Sequence, residues 1–282
     1  MIHALDTDSL YSVLSALDSV PDLVRAAGVS TAVRVLVQSV LRVRTSEGGH
    51  IHPGHVPRRF VTWILYLAWL EGITLQLYHT REFERGQALL ELRERLDPSV
   101  LAGYAPAVVR KLKDNDWYVR KHALETLSKL EPDKLAKYAP DVVLQLRLTD
   151  LDGDTNIVRC AALKTLGELK PSVLNLYATD IAHQVDETIL DHADSVRKTA
   201  LETLRQLEAS ALTSYAPAVV RRLYDEYWYV RLAALETLCN LELSVITLVK
   251  VAKMMREDRD ADVRGAAGLL LQRQMASQQR SP

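Results

Sequence analysis

Residues 103–130 read GYAPAVVRKLKDNDWYVRKHALETLSKL, and residues 214–241 repeat them as SYAPAVVRRLYDEYWYVRLAALETLCNL. Two looser copies lie between these segments and a decayed one follows, so the chain is a tandem array. Self-similarity at a period of about 30 to 50 residues marks units that bury their apolar faces only by stacking on one another. Such a sequence constrains architecture strongly and function weakly.

Two markers fix the register. Tyr104, Tyr138, Tyr177 and Tyr215 fall in the first half of each unit, and Val-Arg pairs ending at Arg120, Arg159, Arg197, Arg231 and Arg264 fall in the second. Arg120, Arg159 and Arg197 each lie 18 residues before the next of these Tyr, whereas the step from Tyr to Arg varies from 16 to 21 residues. A helix and its packed connection cannot change length without turning its apolar face away from its neighbour, but a surface turn lengthens cheaply. Each unit is therefore expected to be two helices, A and B, joined by a variable turn, with the insertions projecting from one edge. Pro98, Pro132 and Pro171 mark the starts of A helices, with Asp97 as an expected N-cap. In B helices, Val119, Ala123, Leu124, Leu127 and Leu130 recur at three- and four-residue steps. Ile157/Val158, Leu163, Leu166 and Leu169 repeat the stripe, as do Val196, Leu201, Leu204 and Leu207, then Val230, Leu235, Leu238 and Leu241.

These residues resemble HEAT repeats, whose pattern combines a Pro that bends helix A, an acidic turn, and Val-Arg opening helix B. Pro106, Pro140 and Pro217 match the bending Pro; Asp114, Asp116, Asp225, Asp258 and Asp260 match the acidic turn. The third unit departs with Thr179 in the Pro position, and the fifth lacks Tyr-Ala-Pro and carries Gly268 where the others have Leu, as a terminal cap would. The resemblance implies an all-α solenoid of about five hairpins over residues 97–275, preceded by an irregular helical segment over 1–96 and followed by a polar tail, 276–282. It also implies a structural Asp–Arg ladder built from Asp114, Asp116, Arg120, Arg159, Arg197, Asp225, Arg231, Asp258 and Arg264. The family's roles range over phosphatase scaffolds, nuclear transport and chromosome or cytoskeletal assembly, so the expected function is a non-catalytic protein-interaction scaffold. A HEAT-like lyase or enzyme-associated subunit, or a nucleic-acid-binding module, is the alternative.

Composition narrows these classes. A chain of 282 residues that is 48% hydrophobic and 25% charged can bury a sizeable core. Its net charge of −1 argues against a general polyanion binder. The basic residues of the repeats (Arg110, Lys111, Arg120, Lys121, Arg221, Arg222) are interleaved with Glu125, Glu202 and Glu236, so no nucleic acid is expected. Cys160 and Cys239 stand alone and are expected to be core residues of a reducing, cytoplasmic or nuclear protein. The apolar run from Phe60 to Leu70 continues to Tyr78 but is interrupted by Glu71, which favours a buried helix over a membrane span.

Three features carry candidate recognition chemistry. Trp117-Tyr118 and Trp228-Tyr229 open two B helices, where a small residue would serve the fold equally well; exposed aromatics on a rigid array suit interface anchors. The insertion Asp150–Ile157 begins like a calcium loop but has Thr155 for its Gly and Ala161 for its bidentate Glu, so it reads as an acidic helix cap. His50, His52 and His55 cluster in a Gly/Pro loop with no carboxylate beside them. No phosphate loop, dinucleotide fingerprint, nucleophile elbow or His-Glu pair is present in the sequence, so no catalytic residue, metal, cofactor or small-molecule substrate is expected.

Overall fold

The computed structural model describes residues 72–147, 155–186 and 193–278. The chain divides into two compact units, Met1–Leu92 and Arg93–Pro282. The first is described only by a short helical stretch at 72–76 and most of helix α1, Glu82–Arg95. Expectations for the Phe60–Leu70 run, the His50–His55 cluster and the Asp150–Asp154 part of the acidic insertion fall outside the described residues. So does most of the irregular N-terminal segment. Among the described residues no strand occurs, and no helix is long and apolar enough to cross a membrane.

The second unit is a stack of five hairpins. The first pairs α2 (Pro98–Arg110) with α3 (Trp117–Leu127). In the second, α4 (Pro132–Leu135) and α5 (Ala139–Leu144) form the A side, and α6 (Thr155–Gly167) the B side. The third is α7 (Pro171–Leu174) and α8 (Ala178–Val185) with α9 (Asp194–Leu204). The fourth is α10 (Ala209–Thr213) and α11 (Ala216–Arg221) with α12 (Trp228–Leu238). The fifth pairs α13 (Val245–Glu257) with α14 (Ala261–Gln278). Successive B helices α3, α6, α9, α12 and α14 pack side by side and carry the core.

The predicted stripe faces inward throughout. Val119, Leu124, Val158, Leu163, Val196, Leu201, Val230 and Leu235 are fully buried, and Leu130, Leu169, Leu207 and Leu241 close each hairpin. In the second unit Val158 is the buried partner of the Ile157/Val158 pair, while Ile157 is exposed. Each fully buried aliphatic side chain contributes roughly 1.5–3 kcal/mol, so the stack is held chiefly by this seam.

Pro98, Pro132 and Pro171 start their helices as expected, but Asp97 and the prolines within the A sides act differently. Asp97 occupies the N-cap position of α2 with extended backbone, but its side chain makes no capping bond; its carbonyl accepts from Val100 and Leu101 instead. In the second and fourth units the A side breaks ahead of Pro140 and Pro217. In the third unit the same break, through a 3-10 turn at Asn175–Tyr177, occurs with Thr179 in the Pro position. In the first, Pro106 sits inside the unbroken helix α2. Proline is thus neither required nor sufficient for the break.

Candidate functional site

The turn between A and B helices shows how a short acidic sequence organises each hairpin. Asp114 Oδ1 accepts from the Asp116 amide (3.1 Å), and Asp116 Oδ1 in turn accepts from Tyr118 N (2.9 Å), capping α3. Asp258 and Asp260 repeat both bonds ahead of α14. Arg120, Arg231 and Arg264 each extend Nη1 back to two carbonyls of their own turn, those of Asp114 and Asn115, Asp225 and Glu226, and Asp258 and Arg259 respectively. The opposite edge of the guanidinium reaches forward. Arg197 Nε and Nη2 donate to Asp225 at 2.8 and 3.0 Å, and Arg231 Nε and Nη2 donate to Asp258 at 2.8 and 2.7 Å. An arginine therefore caps its own turn and grips the aspartate of the next unit, a fork that lysine could not supply. Asp116 is an N-cap, its Oδ1 taken by backbone amides, while Asp225 and Asp258 are rungs. The turns opposite Arg120 and Arg159 fall among residues 148–154 and 187–192, outside the described set.

Burial pulls the Arg197 pKa down, but the Asp225 bonds and the charges of Asp225, Asp194 and Glu226 together hold it above its ordinary value. Burial pulls the Asp258 carboxyl upward, but the Arg231 bonds prevail and hold it below its usual value.

A second ladder escaped sequence reasoning. Thr165, Thr203 and Thr237, in the repeated Thr-Leu of the B helices, are buried, and each hydroxyl is shared between two carbonyls. One belongs to the residue four earlier: Ala161, Thr199 and Ala233, at 2.7–2.8 Å. The other belongs to the preceding unit: Leu124, Leu163 and Leu201, at 3.1, 3.3 and 3.0 Å. A polar residue recurring on an apolar face was the available signal.

On the outward side of the B helices lies an open groove of ≈1020 Å³, floored by α3, α6, α9 and α12. Its walls carry Lys121, Lys164 and Lys198 together with Glu125, Glu168 and Asp194, so the charges balance. Glu125 is pinned by Arg93 and by Lys121 at 3.6 Å, with His122 Nδ1 at 3.3 Å. His122 first, then Lys121 and Arg93, hold its carboxyl down at about 2 against the effect of burial. Lys164 and Glu168 are exposed, and neither makes an ion pair among the described residues.

The two aromatic pairs are placed differently. Trp228, 43% exposed, and Tyr229 line one end of the groove. Tyr229 donates its phenol to Asp194, and its pKa is raised by burial and by that carboxylate. Tyr227 stands where Asp116 and Asp260 cap the first and fifth B helices, and it caps nothing. Its ring lies 5.5 Å from Tyr229 and 6.0 Å from the Arg197 guanidinium. Trp117 and Tyr118 are half-buried and lie outside the groove lining; Tyr118 packs edge-on against His122, ring centroids 4.3 Å apart. Cys160 is a half-buried groove residue and Cys239 is likewise half-buried, so neither is the core residue expected; burial pushes both thiols up. Among the described residues no group of His, Cys, Asp or Glu side chains is arranged to hold a metal.

No protein-family model matches the sequence, and no curated protein is significantly similar to it. The fold, by contrast, is shared with solved helical-repeat structures. A HEAT-like repeats protein from the archaeon Thermococcus onnurineus NA1 superposes with a TM-score of 0.52 at 20% identity, covering 75% of this chain and 88% of its own. A designed armadillo repeat protein in complex with the peptide (KR)4 gives 0.53 at 16% identity, covering 72% and 98%. An engineered protein gives 0.56 at 20% identity, covering 73% and 96%. The fold of this chain is a HEAT/armadillo-type α-solenoid.

Proposed function

We propose that the chain is a non-catalytic scaffold that holds an extended segment of a partner protein in the groove of its B helices, with Trp228 and Tyr229 as the anchor. The observation that carries this reading is the broken cap at Tyr227. A position that in the first and fifth units holds a capping aspartate worth about 1 kcal/mol to the helix, and in the third a plain alanine, is given to a ring that builds an aromatic cluster at the groove's end. Local rules broken without structural gain concentrate at functional sites. Stacked hairpins advance about 10 Å each, so the four-unit floor matches an extended peptide of about ten residues. The alternating charges, with Lys164 and Glu168 unpaired, suit a segment of mixed sign, in contrast to the wholly cationic (KR)4 peptide bound by the designed armadillo protein.

The test is a peptide library displayed on phage and panned on the full chain, followed by fluorescence polarisation with the selected peptides. Trp228→Ala is expected to weaken binding by roughly 30-fold, the effect of losing an anchor worth about 2 kcal/mol, while the melting temperature stays unchanged. Selected peptides that bind Trp228→Ala as tightly as the parent remove the groove from consideration.

A further inference from the structure

Lys164 breaks the charge pattern of the B helices inside the groove. Five residues after the arginine of the Val-Arg pair, the first, third and fourth units carry Glu125, Glu202 and Glu236, and the second carries Lys164. Each of those glutamates is ion-paired: Glu125 with Arg93 and Lys121, Glu202 with Lys198 at 3.4 Å, and Glu236 with Arg205 at 2.6 Å. Lys164 is exposed and pairs with no carboxylate among the described residues. Arg205 reaches Glu236 from the preceding unit; its counterpart ahead of Lys164 is Ser128, whose hydroxyl turns back to the Glu125 carbonyl at 2.9 Å. Glu168 follows Lys164 at the spacing that joins Lys121 to Glu125 and Lys198 to Glu202, yet it forms no such pair. The glutamates of α3 and α9 at this level are already held by cations of their own. One charge has thus been inverted with no counter-ion supplied from any side, and it lines a groove floored beside it by the small residues Cys160, Ser195 and Thr199.

We infer that the segment held in the groove carries an acidic side chain for Lys164, placed six residues from a large apolar side chain that packs on Trp228. This rests on the groove reading above and narrows the class of partner it admits. Lys164 and Trp228 lie two B helices apart, α6 to α12, which at about 8–10 Å between axes is about 16–20 Å across the stack. Along the helices Lys164 is five residues after Arg159 and Trp228 three before Arg231, an offset of about 12 Å at a rise of about 1.5 Å per residue. The diagonal is therefore about 20–23 Å, or about six to seven residues of extended chain. Both side chains must point at the floor, and in an extended strand only residues an even number apart share a face, which leaves six. Ser195 and Thr199 lie on α9 between the two ends, where short side chains leave room for the backbone of the segment.

Phage peptides selected on the full chain are sorted for dependence on Trp228 and aligned; their consensus should hold an acidic residue six positions from a large apolar one. Lys164→Glu installs the residue that three other units carry, so the melting temperature should stay unchanged while these peptides bind about tenfold more weakly in fluorescence polarisation. Replacing the peptide's acidic residue with Lys should weaken binding to the parent chain equally and restore it on Lys164→Glu. Moving the acidic residue one position toward the apolar one should lose as much as removing it. Lys253→Glu, the same change of charge on an exposed lysine outside the groove, should leave the affinity unchanged. Trp228-dependent peptides that bind Lys164→Glu as tightly as the parent, or that lack an acidic residue at this spacing, overturn the inference and leave the groove reading standing. A library that yields no Trp228-dependent peptide overturns both.

Discussion

Replacing Asp225 with Asn tests whether the arginine rungs hold the hairpins together. The Asp225 side chain is 2% exposed and that of Arg197 8%, so water cannot take over the bonds that are lost. Asp225 accepts from Arg197 Nε and Nη2, from Arg222 Nη1 at 3.4 Å and from the Tyr227 amide at 3.2 Å. Asparagine keeps one acceptor oxygen but turns an amide NH2 toward the guanidinium and removes the charge that offsets its desolvation. Breaking one partner of a buried pair costs about 3–5 kcal/mol. For an array of this size, 1 kcal/mol shifts the melting temperature by about 2–4 °C, so a fall of roughly 6–20 °C is expected. Because stability in such arrays is summed over neighbouring interfaces, the loss should be local. Hydrogen exchange read by mass spectrometry should show faster opening of α12 and α14 with little change in α3. Asp258→Asn, whose rung is more exposed at 13% and 8%, should lose less. An Asp225→Asn variant within about 1 kcal/mol of the parent, or one losing less than Asp258→Asn, would refute the claim that the rung adds measurably to the apolar seam at this interface.

Thr237→Val keeps the side-chain shape and removes a fully buried hydroxyl shared with the Leu201 carbonyl; chemical denaturation should show a loss of about 1 kcal/mol. Thr213→Val, whose exposed hydroxyl bonds only within its own helix, should change nothing measurable. Acid should destabilise the chain: the Glu125 carboxyl is depressed from 4.5 to about 2 and that of Asp258 is lowered, so both favour the folded state above their unfolded values and lose that advantage as the pH falls through the folded ones. Urea midpoints should therefore drop between pH about 5 and about 2, and Glu125→Gln should flatten part of the drop. Tyr227→Asp should restore the missing cap, slowing exchange of the Tyr229 amide roughly fivefold, while weakening any peptide selected for the groove.

Contacts that repeat were legible in the sequence, and contacts between copies were legible only in part. The Val and Leu stripe of each B helix announced itself because a 3.6-residue period on one face has one physical reading, burial against the next helix. The spacing brings Asp and Arg to the same turns, but which edge of the guanidinium serves which unit depends on how far one turn lies from the next, and no spacing within a unit encodes that. The same limit hid the threonines, since a hydroxyl four residues after a carbonyl always has a local partner, and only the stack supplies the Leu carbonyl of the neighbouring helix. Pro106 and Thr179 show that the residue in the Pro position does not by itself decide where helix A breaks. The groove was invisible because its walls are the outward positions, Lys121, Cys160 and Lys198 at one register and Glu125 and Lys164 at another, which the stacking leaves free to vary.

That freedom separates two kinds of information in the chain. A position serving the stack must recur, because each interface poses the same geometric problem, so a departure at such a position gives up a contact that its neighbours keep. Tyr227 gives up the cap that Asp116 and Asp260 supply in the first and fifth units, as Ala193 does in the third. Ala193 is a buried methyl, whereas Tyr227 brings its ring beside Tyr229 at the end of the groove marked by Trp228. If the loss at Tyr227 were mere decay, restoring aspartate would stabilise the chain without altering what it binds. If the groove is used, Tyr227→Asp should separate stability from binding, firming α12 while weakening the capture of a peptide.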